Sequence, residues 1–257
     1  PIAVSITLYE FTKHNFKKVF MRLDKYISDM VTSSRKEAKK LINKKKVKVN
    51  GEIILDEGYK VSEHNDIIMI DEKQIIYQQF HYYILNKPKG LVTSTIDENP
   101  TVMSLIHEYP KYNLAPVGRL DKDTEGLLLI TDDGILSHLL TSPKHHVDKI
   151  YEADVKGKLP DSCVEMFAEG LVVDSSFTAM PAILNIISYD AFTDTSHIRI
   201  TIKEGKYHQI KRMFSAVDSE VLYLKRLSMG SIVLDKTLKT GEYRALTDAE
   251  ISALKDF

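Results

Sequence analysis

Cysteine is nearly absent from this sequence of 257 residues. Because Cys163 is its sole cysteine, no internal disulfide can form, and the composition is typical of a reducing compartment such as the cytoplasm. No apolar run approaches the length of a membrane span. The apolar opening PIAVSITLYEF lacks a preceding basic region and a following small-residue cleavage site, so it is not predicted to be a signal peptide. The sequence therefore predicts a cytoplasmic protein with no membrane partner.

Motifs of several enzyme classes are also missing. No glycine-rich loop follows a strand in the way that a nucleotide phosphate requires, and the GxSxG motif of the hydrolases is absent. The histidines at positions 138, 145 and 146 match no common zinc pattern, and no paired cysteines support them. We therefore predict no metal and no cofactor. A metal-dependent hydrolase that uses these histidines is kept as an alternative.

The charge of the chain is unevenly distributed. The composition, 43% hydrophobic and 28% charged, suits one large domain and one small one. Between Lys13 and Lys48 there are thirteen Lys and Arg residues against three acids, a balance of +10, which leaves −11 for the rest of a chain whose net charge is −1. A basic arm on an acidic body indicates a module that binds a polyanion. A solvated, lysine-rich helical face is the other interpretation.

Residues 21–72 have the pattern of a small, separate module. Leu23, Tyr26, Ile27 and Met30 form one helical stripe, and a second helix begins with the capping box of Ser34 and Glu37. The segment VKVNGEII then predicts a hairpin, and DIIMI predicts a further strand. We assign no fold to residues 1–20 and interpret residues 73–79 as a linker.

Residues 80–257 predict a larger α+β domain. The alternating or wholly apolar segments that predict strands are YYIL (82–85), LLLIT (127–131), KIYEADV (149–155) and HIRITIKEG (197–205). The segments with helical periodicity are ILSHLL (135–140) and HQIKRMFSAV (208–217). Because strands and helices alternate without a regular rhythm, we expect a mixed or antiparallel sheet.

One aspartate has unusual surroundings. Asp121 follows Arg119 and Leu120 in GRLDKDTEG, directly before the apolar strand. Aspartates in such turns usually bond backbone amides. Here apolar and basic neighbours flank the carboxylate, and the polar residues of KIY and EGKYHQIKRM have no evident role in the core. We therefore interpret Asp121 as a candidate catalytic group.

The small module resembles the S4 RNA-binding domain. The resemblance rests on RLDK (22–25), Ser34-Arg35 and VKVNG (47–51), in this order. It implies that Arg22, Arg35, Lys39 and Lys40 bind RNA phosphates without reading sequence. One position departs, because Lys45 stands where the family commonly has a glycine that caps the second helix.

The larger domain resembles a pseudouridine synthase, and within that family the small-subunit ribosomal branch, the RsuA-type enzymes. The motifs are GRLDKDTEGLLLITDDG, TSPKHHVDKIYEADV, EGKYHQIKRMFSAV, LSMGSIVLD and GEYRALTDAEI, in this order. The segment TSPKHH points to the small-subunit branch. Asp218-Ser219 departs from the glycine-asparagine that the family often has, in a loop outside the catalytic motifs.

The resemblance implies the reaction and its residues. The enzyme would isomerise a uridine without a cofactor, with Asp121 as nucleophile or base and Lys211 as its cationic partner. Tyr151 would stack on the uracil, and its hydroxyl could serve in proton transfer. Arg119 would bind RNA.

The resemblance also implies the substrate. It is small-subunit (16S) rRNA or a partly assembled small subunit, with uridine 516 as the target, and the enzyme would act as a monomer. Two alternatives stay open besides the metal hydrolase. One is the same chemistry on large-subunit (23S) rRNA, and the other is a non-catalytic assembly factor that only binds RNA.

Overall fold

The computed structural model describes residues 20–32, 34–63, 65–109 and 112–255. The chain divides into two units between Gln79 and Phe80. Of the residues to which no fold was assigned, 1–19 lie outside the described part, and Phe20 begins the first strand.

Within its described residues, the first unit contains two helices and two small antiparallel sheets. The elements are β1 (Phe20–Arg22), α1 (Leu23–Met30), α2 (Arg35–Asn43), β2 (Val47–Val49), β3 (Glu52–Ile53), β4 (Lys60–Ser62), β5 (Ile68–Ile70) and β6 (Lys73–Ile75). One sheet pairs β1 with β4, and the other has the order β3-β2-β5-β6.

The local signals in the sequence explain these elements. The predicted stripe of α1 is its buried side, and Leu23, Tyr26 and Ile27 are at most 1% exposed. The Ser34 side chain caps α2 by accepting a hydrogen bond from the Glu37 amide at 3.3 Å. Asn50 adopts the left-handed conformation that a tight hairpin between β2 and β3 needs. The predicted helices and hairpin are confirmed.

The interpretation of residues 73–79 as a linker was wrong. Lys73–Ile75 form β6, which pairs with β5 in the sheet of the first unit. The turn between them, Asp71-Glu72, holds both residues at positive φ without a glycine, so the usual hairpin signal is missing from the sequence. Tyr77 also belongs to this unit, because its ring centroid lies 5.1 Å from that of Tyr26.

Two positions that depart from the glycines of the resembled families keep a left-handed backbone. Lys45 follows α2 with a φ of 60°, and Asp218 follows the last helix of the catalytic motifs with a φ of 56°. A residue other than glycine is strained in this left-handed conformation, because its Cβ comes close to the following carbonyl oxygen. Aspartate tolerates the conformation better than lysine does, so the strain is greater at Lys45.

The second unit is a nine-stranded mixed sheet with helices packed around it. Its strands are β7 (Tyr82–Lys87), β8 (Ala115–Pro116), β9 (Glu125–Thr131), β10 (Lys149–Lys156), β13 (Ile183–Asp190), β14 (Thr195–Ile202), β15 (Val221–Met229), β16 (Ile232–Val233) and β17 (Tyr243–Ala245), and β11 (Val172–Asp174) and β12 (Phe177–Thr178) form a separate hairpin. Its helices are α3 (Gly134–Thr141), α4 (Ser162–Glu169), α5 (Gln209–Ser215) and α6 (Asp248–Lys255), with short 3-10 turns at Val102–Leu105 and Pro143–His145.

The strand order β13-β14-β10-β15-β9-β7-β17 confirms the predicted mixed sheet. The parallel pair β9–β15 lies near its middle, and the other neighbours are antiparallel. Strand β9 is buried along nearly all its length because a hydrophobic cluster covers each face. No helix within the described ranges is long and apolar enough to cross a membrane.

Candidate active site

The loop that carries Asp121 lies directly before β9, and a buried lysine binds its backbone carbonyls. Lys87, fully buried at the end of β7, donates hydrogen bonds from Nζ to the carbonyls of Asp121 (3.1 Å), Thr124 (2.8 Å) and Pro88 (3.1 Å). Burial lowers the pKa of Lys87 to about 8, against the opposing effect of nearby carboxylates. The carbonyl groups of the loop are thus fixed by one ammonium group.

A threonine fixes the residue before Asp121. The Thr93 hydroxyl donates to the Leu120 carbonyl at 2.8 Å and accepts from the Leu120 amide at 3.2 Å. On the other side, the Gly90 amide donates to the Lys122 carbonyl at 2.6 Å. No role was assigned to the segment NKPKG (86–90) from the sequence, so its support of the Asp121 loop was missed.

The carboxylate of Asp121 lies between two basic side chains. Its Oδ1 is 3.5 Å from His208 Nε2, its Oδ2 is 3.5 Å from Lys211 Nζ, and the side chain is 27% exposed. Lys211 also bonds Asp123 at 2.6 and 2.8 Å. Burial alone would raise the pKa of the Asp123 carboxyl, but the hydrogen bonds and charge of Lys211 outweigh it and lower that pKa.

A buried glutamine positions the start of α5. Gln209 Nε2 donates to Glu204 Oε1 at 2.9 Å, and Gln209 Oε1 accepts from the Lys206 amide at 2.9 Å. These bonds fix the turn in which His208 adopts a left-handed backbone, and they place His208 and Lys211 beside Asp121. His208 was not among the predicted site residues, because it lies just before α5 in a turn that no local sequence motif marks.

The predicted residues of this unit line one cavity of about 600 Å³. Asp121, Tyr151, Lys211 and Arg119 all contribute to its wall. Tyr151 is 6% exposed and lies on β10 opposite Arg226 of β15. A ring held in this way presents a flat apolar wall to the cavity that Asp121 also lines, which suits the stacking of a planar base.

The other predicted RNA-binding residues lie in the first unit. Arg35 and Lys40 are exposed on α2. Arg22 donates to both carboxylate oxygens of the buried Asp24 at 3.0 Å, while 44% of its side chain stays exposed. Lys39 Nζ lies 2.7 Å from Glu57. Of the four residues predicted to bind RNA phosphates, Arg35 and Lys40 therefore fit the prediction best.

Metal binding finds no support in side-chain geometry. In the part of the chain that the structure describes, no three His, Cys, Asp or Glu side chains lie close enough together to hold a metal ion. The histidines at positions 138, 145 and 146 are within this part.

Comparison with known proteins assigns both units. Residues 81–216 match the RNA pseudouridylate synthase family, and residues 21–68 match the S4 domain. A solved structure described as a pseudouridylate synthase superposes with a TM-score of 0.63 at 38% identity, and the match covers 91% of this chain and 99% of that one.

The sequence similarity to curated proteins extends over nearly the whole length of those proteins. The ribosomal small subunit pseudouridine synthases A of Haemophilus influenzae (strain Rd) and Escherichia coli (strain K12) are each 39% identical over 236 residues, 91% of this chain and 99% and 100% of theirs. The RNA pseudouridine synthase YtzG of Bacillus subtilis (strain 168) is 39% identical over 238 residues, 92% of this chain and 99% of its own. The chain therefore belongs to the RNA pseudouridylate synthase family, as an isomerase that carries an N-terminal S4 domain.

Proposed function

We propose that this enzyme converts a uridine of small-subunit rRNA to pseudouridine, with Asp121 as the reacting carboxylate. The observation that carries the proposal is the placement of Asp121 between His208 and Lys211 in the wall of a cavity that Tyr151 also lines. A protein that only bound RNA would not need a carboxylate in this position, because phosphates repel it.

The reaction rearranges bonds without an oxidant or a group donor. The N1–C1′ bond of the uridine breaks, a C5–C1′ bond forms, C5 loses a proton and N1 gains one. Asp121 either adds to C1′ and leaves it when the C5–C1′ bond forms, or removes a proton from the sugar and later returns it, and both roles require its anionic form. Lys211 Nζ and His208 Nε2 each lie 3.5 Å from one of its carboxylate oxygens, and the Tyr151 ring stacks on the uracil.

The target base must leave its stack to reach the cavity, which costs a few kcal/mol. Phosphate contacts from Arg119 near the cavity, and from Arg22, Arg35, Lys39 and Lys40 in the S4 domain, offset this cost and set the position of the RNA. Free rRNA or a partly assembled small subunit in the cytoplasm is the proposed substrate, and the enzyme acts on it as a monomer.

The choice of the small subunit is supported by the names of the similar proteins and by the TSPKHH segment. The finer proposal is uridine 516 of that rRNA, which rests on resemblance alone. To test both, pseudouridine is mapped in the rRNA of cells with and without the gene. We expect one small-subunit position to lose its pseudouridine, at 516. Loss confined to large-subunit rRNA would contradict the proposed substrate.

A further inference from the structure

Three buried polar residues line the same cavity but have no part in the chemistry assigned to Asp121. They are Thr124, Lys149 and Arg226, which are 2%, 6% and 2% exposed. Burying polar groups, above all charged ones, costs free energy unless partners compensate. The hydrogen-bond and ion-pair partners of these three residues therefore show whether the protein itself compensates the cost of burying them.

Arg226 is a buried cation with an unused donor. Its Nε donates to the Leu127 carbonyl at 2.7 Å, whereas its Nη2 is buried with no hydrogen-bond partner among the described residues. No carboxylate forms an ion pair with it within the described ranges. The guanidinium lies on the face of the sheet that Tyr151 occupies, because the two residues are opposite each other in the β10–β15 register.

Lys149 adds a second positive charge on this face. It lies two residues before Tyr151 on β10, so both side chains point to the same side of the sheet. Its Nζ donates to the Val147 carbonyl at 2.7 Å. Burial, and to a lesser extent the charge of Arg226, lowers the pKa of Lys149 to about 8, with Asp148 opposing the effect.

Thr124 supplies a hydroxyl beside them. Its Oγ1 is buried and has no hydrogen-bond partner among the described residues. Thr124 precedes Gly126, which pairs with Arg226 in the parallel β9–β15 register. Thr124 itself lies just before β9, and it lines the same cavity as Arg226. The absence of a side chain at Gly126 lets the two strands approach, since a Cβ there would collide with the Arg226 backbone.

The imide edge of uracil complements such a set. It presents the O2 acceptor, the N3–H donor and the O4 acceptor in a row. Two cationic donors suit the carbonyl oxygens, and a hydroxyl accepts from N3–H. To bring C5 to the place of N1, the base turns half a rotation about the axis through N3 and C6. That turn exchanges O2 with O4 and leaves the order of acceptor, donor and acceptor unchanged.

We propose that Thr124, Lys149 and Arg226 hold the imide edge of the target uracil while the base is detached from C1′ and turns. When the N1–C1′ bond breaks, its electron pair stays with the base, and the negative charge spreads over N1 and the carbonyl oxygens. The two cations stabilise that charge more strongly than they stabilise the neutral base. C5 then donates a pair to C1′, loses its proton, and N1 is protonated. The inference rests on the proposed site, with Asp121 acting at the sugar.

The sharpest test is Thr124→Val, which removes the hydroxyl and preserves the shape. Because that hydroxyl has no hydrogen-bond partner in the described part of the chain, the substitution should keep or raise the melting temperature. The single-turnover rate constant should nevertheless fall roughly tenfold or more, while the affinity for RNA stays within a factor of about two. Thr124→Ser keeps a hydroxyl and should restore most of the rate. A residue with only a structural role would not lose rate while the protein becomes more stable.

Lys149→Met provides the second variant, with an expected loss of rate of roughly tenfold or more. Thr131→Val is the matched control, because Thr131 is also a buried threonine but lies outside the cavity lining, at the far end of β9, where its hydroxyl oxygen accepts from the Asp133 amide at 3.0 Å. Its rate should stay near that of the wild type.

The substrate is total rRNA from cells that lack the gene, so the test does not depend on which subunit carries the target. If the wild type modifies large-subunit rRNA, the proposed substrate fails but this inference is still tested. Equal rates for the wild type and either Thr124→Val or Lys149→Met would overturn the three-residue site.

Discussion

Lys211 Nζ lies 3.5 Å from the Asp121 carboxylate but only 2.6 Å from that of Asp123. One ammonium therefore serves two carboxylates, and its shorter hydrogen bonds go to the more exposed of them. Asp123 holds the lysine in place, while Asp121 keeps a nearby positive charge and an oxygen that is free to approach a substrate. The two aspartates, two residues apart, differ in the roles that the geometry assigns to them.

Asp121→Asn should abolish isomerisation, lowering the rate by more than about a thousandfold, the scale on which nucleophile replacements act. The amide keeps the size of the side chain but cannot act as an anionic nucleophile or base. Asp123→Asn is the matched control, and it should cost less than about tenfold because an exposed ion pair contributes little. Tritium release from C5-labelled uridine measures both, beside RNA binding on the same preparations. Equal losses in the two variants would contradict the assignment.

Tyr151→Phe separates the two functions proposed for this residue. If stacking on the uracil is its main function, the phenylalanine ring should keep the rate within about tenfold of the wild type. We expect this milder outcome, because the ring of Tyr151 is buried and forms the cavity wall. Single-turnover kinetics on labelled rRNA provide the measurement. A loss as large as that of Asp121→Asn would instead assign the hydroxyl to proton transfer.

The fold followed from local signals wherever a segment had a clear period. The stripe of α1, the alternation of β10 and the apolar run of β9 were all visible in the sequence. Strand β15 was missed because buried Arg226 interrupts its apolar pattern, and that irregularity is a consequence of the cavity it lines. Strand β6 was missed because its turn lacks the glycine that marks hairpins.

The sequence pointed to the residues that share a cavity but not to the residues that hold them in place. In the sequence Lys87 only precedes the turn residues Pro88 and Gly90, and its burial beneath the Asp121 loop depends on packing between segments far apart in the chain. His208 and the bonds of Gln209 depend in the same way on a turn that has no local motif. Such contacts are properties of the assembled sheet, so periodicity cannot reveal them.

Arg35→Gln and Lys40→Gln test the S4 domain as an RNA-binding surface. Both side chains are exposed on α2, so their removal should leave the fold intact. Each lost phosphate contact should reduce the slope of log K against log salt by about 0.7 to 0.9. Lys46→Gln is the control, because Lys46 is bonded to Asp71 at 2.7 Å on an exposed part of the same domain. An unchanged slope in both test variants would exclude these residues from the RNA interface.

Lys45→Gly should stabilise the first unit by about 0.5 to 1 kcal/mol. Glycine adopts a φ of 60° without steric strain, and the greater entropy of the unfolded chain cancels only part of that gain. Lys44→Gly is the control. Lys44 has a φ of −80°, so glycine there brings only the entropic cost and should destabilise. Hydrogen exchange of amides in α2 and β2 reports on this unit within the intact chain. Faster exchange in Lys45→Gly than in the wild type would contradict the strain argument.

The pH dependence of kcat/KM should reveal the charge on Lys149. Its pKa is lowered to about 8 by burial and by Arg226, so the free enzyme carries an ammonium below that pH and a neutral amine above it. If the ammonium stabilises the detached base, kcat/KM should fall as pH rises through about 8, since this parameter reports groups of the free enzyme. A group required in its neutral form would give the opposite slope.

Lys149→Arg should move this basic limb to higher pH, because a guanidinium stays protonated throughout the range. Lys87 provides a built-in competitor for the assignment, since burial lowers its pKa to about 8 as well. Its ammonium contacts the loop carbonyls and is untouched by the substitution. If the limb remains near pH 8 in Lys149→Arg, the titrating group is Lys87 beneath the Asp121 loop and not Lys149 in the cavity.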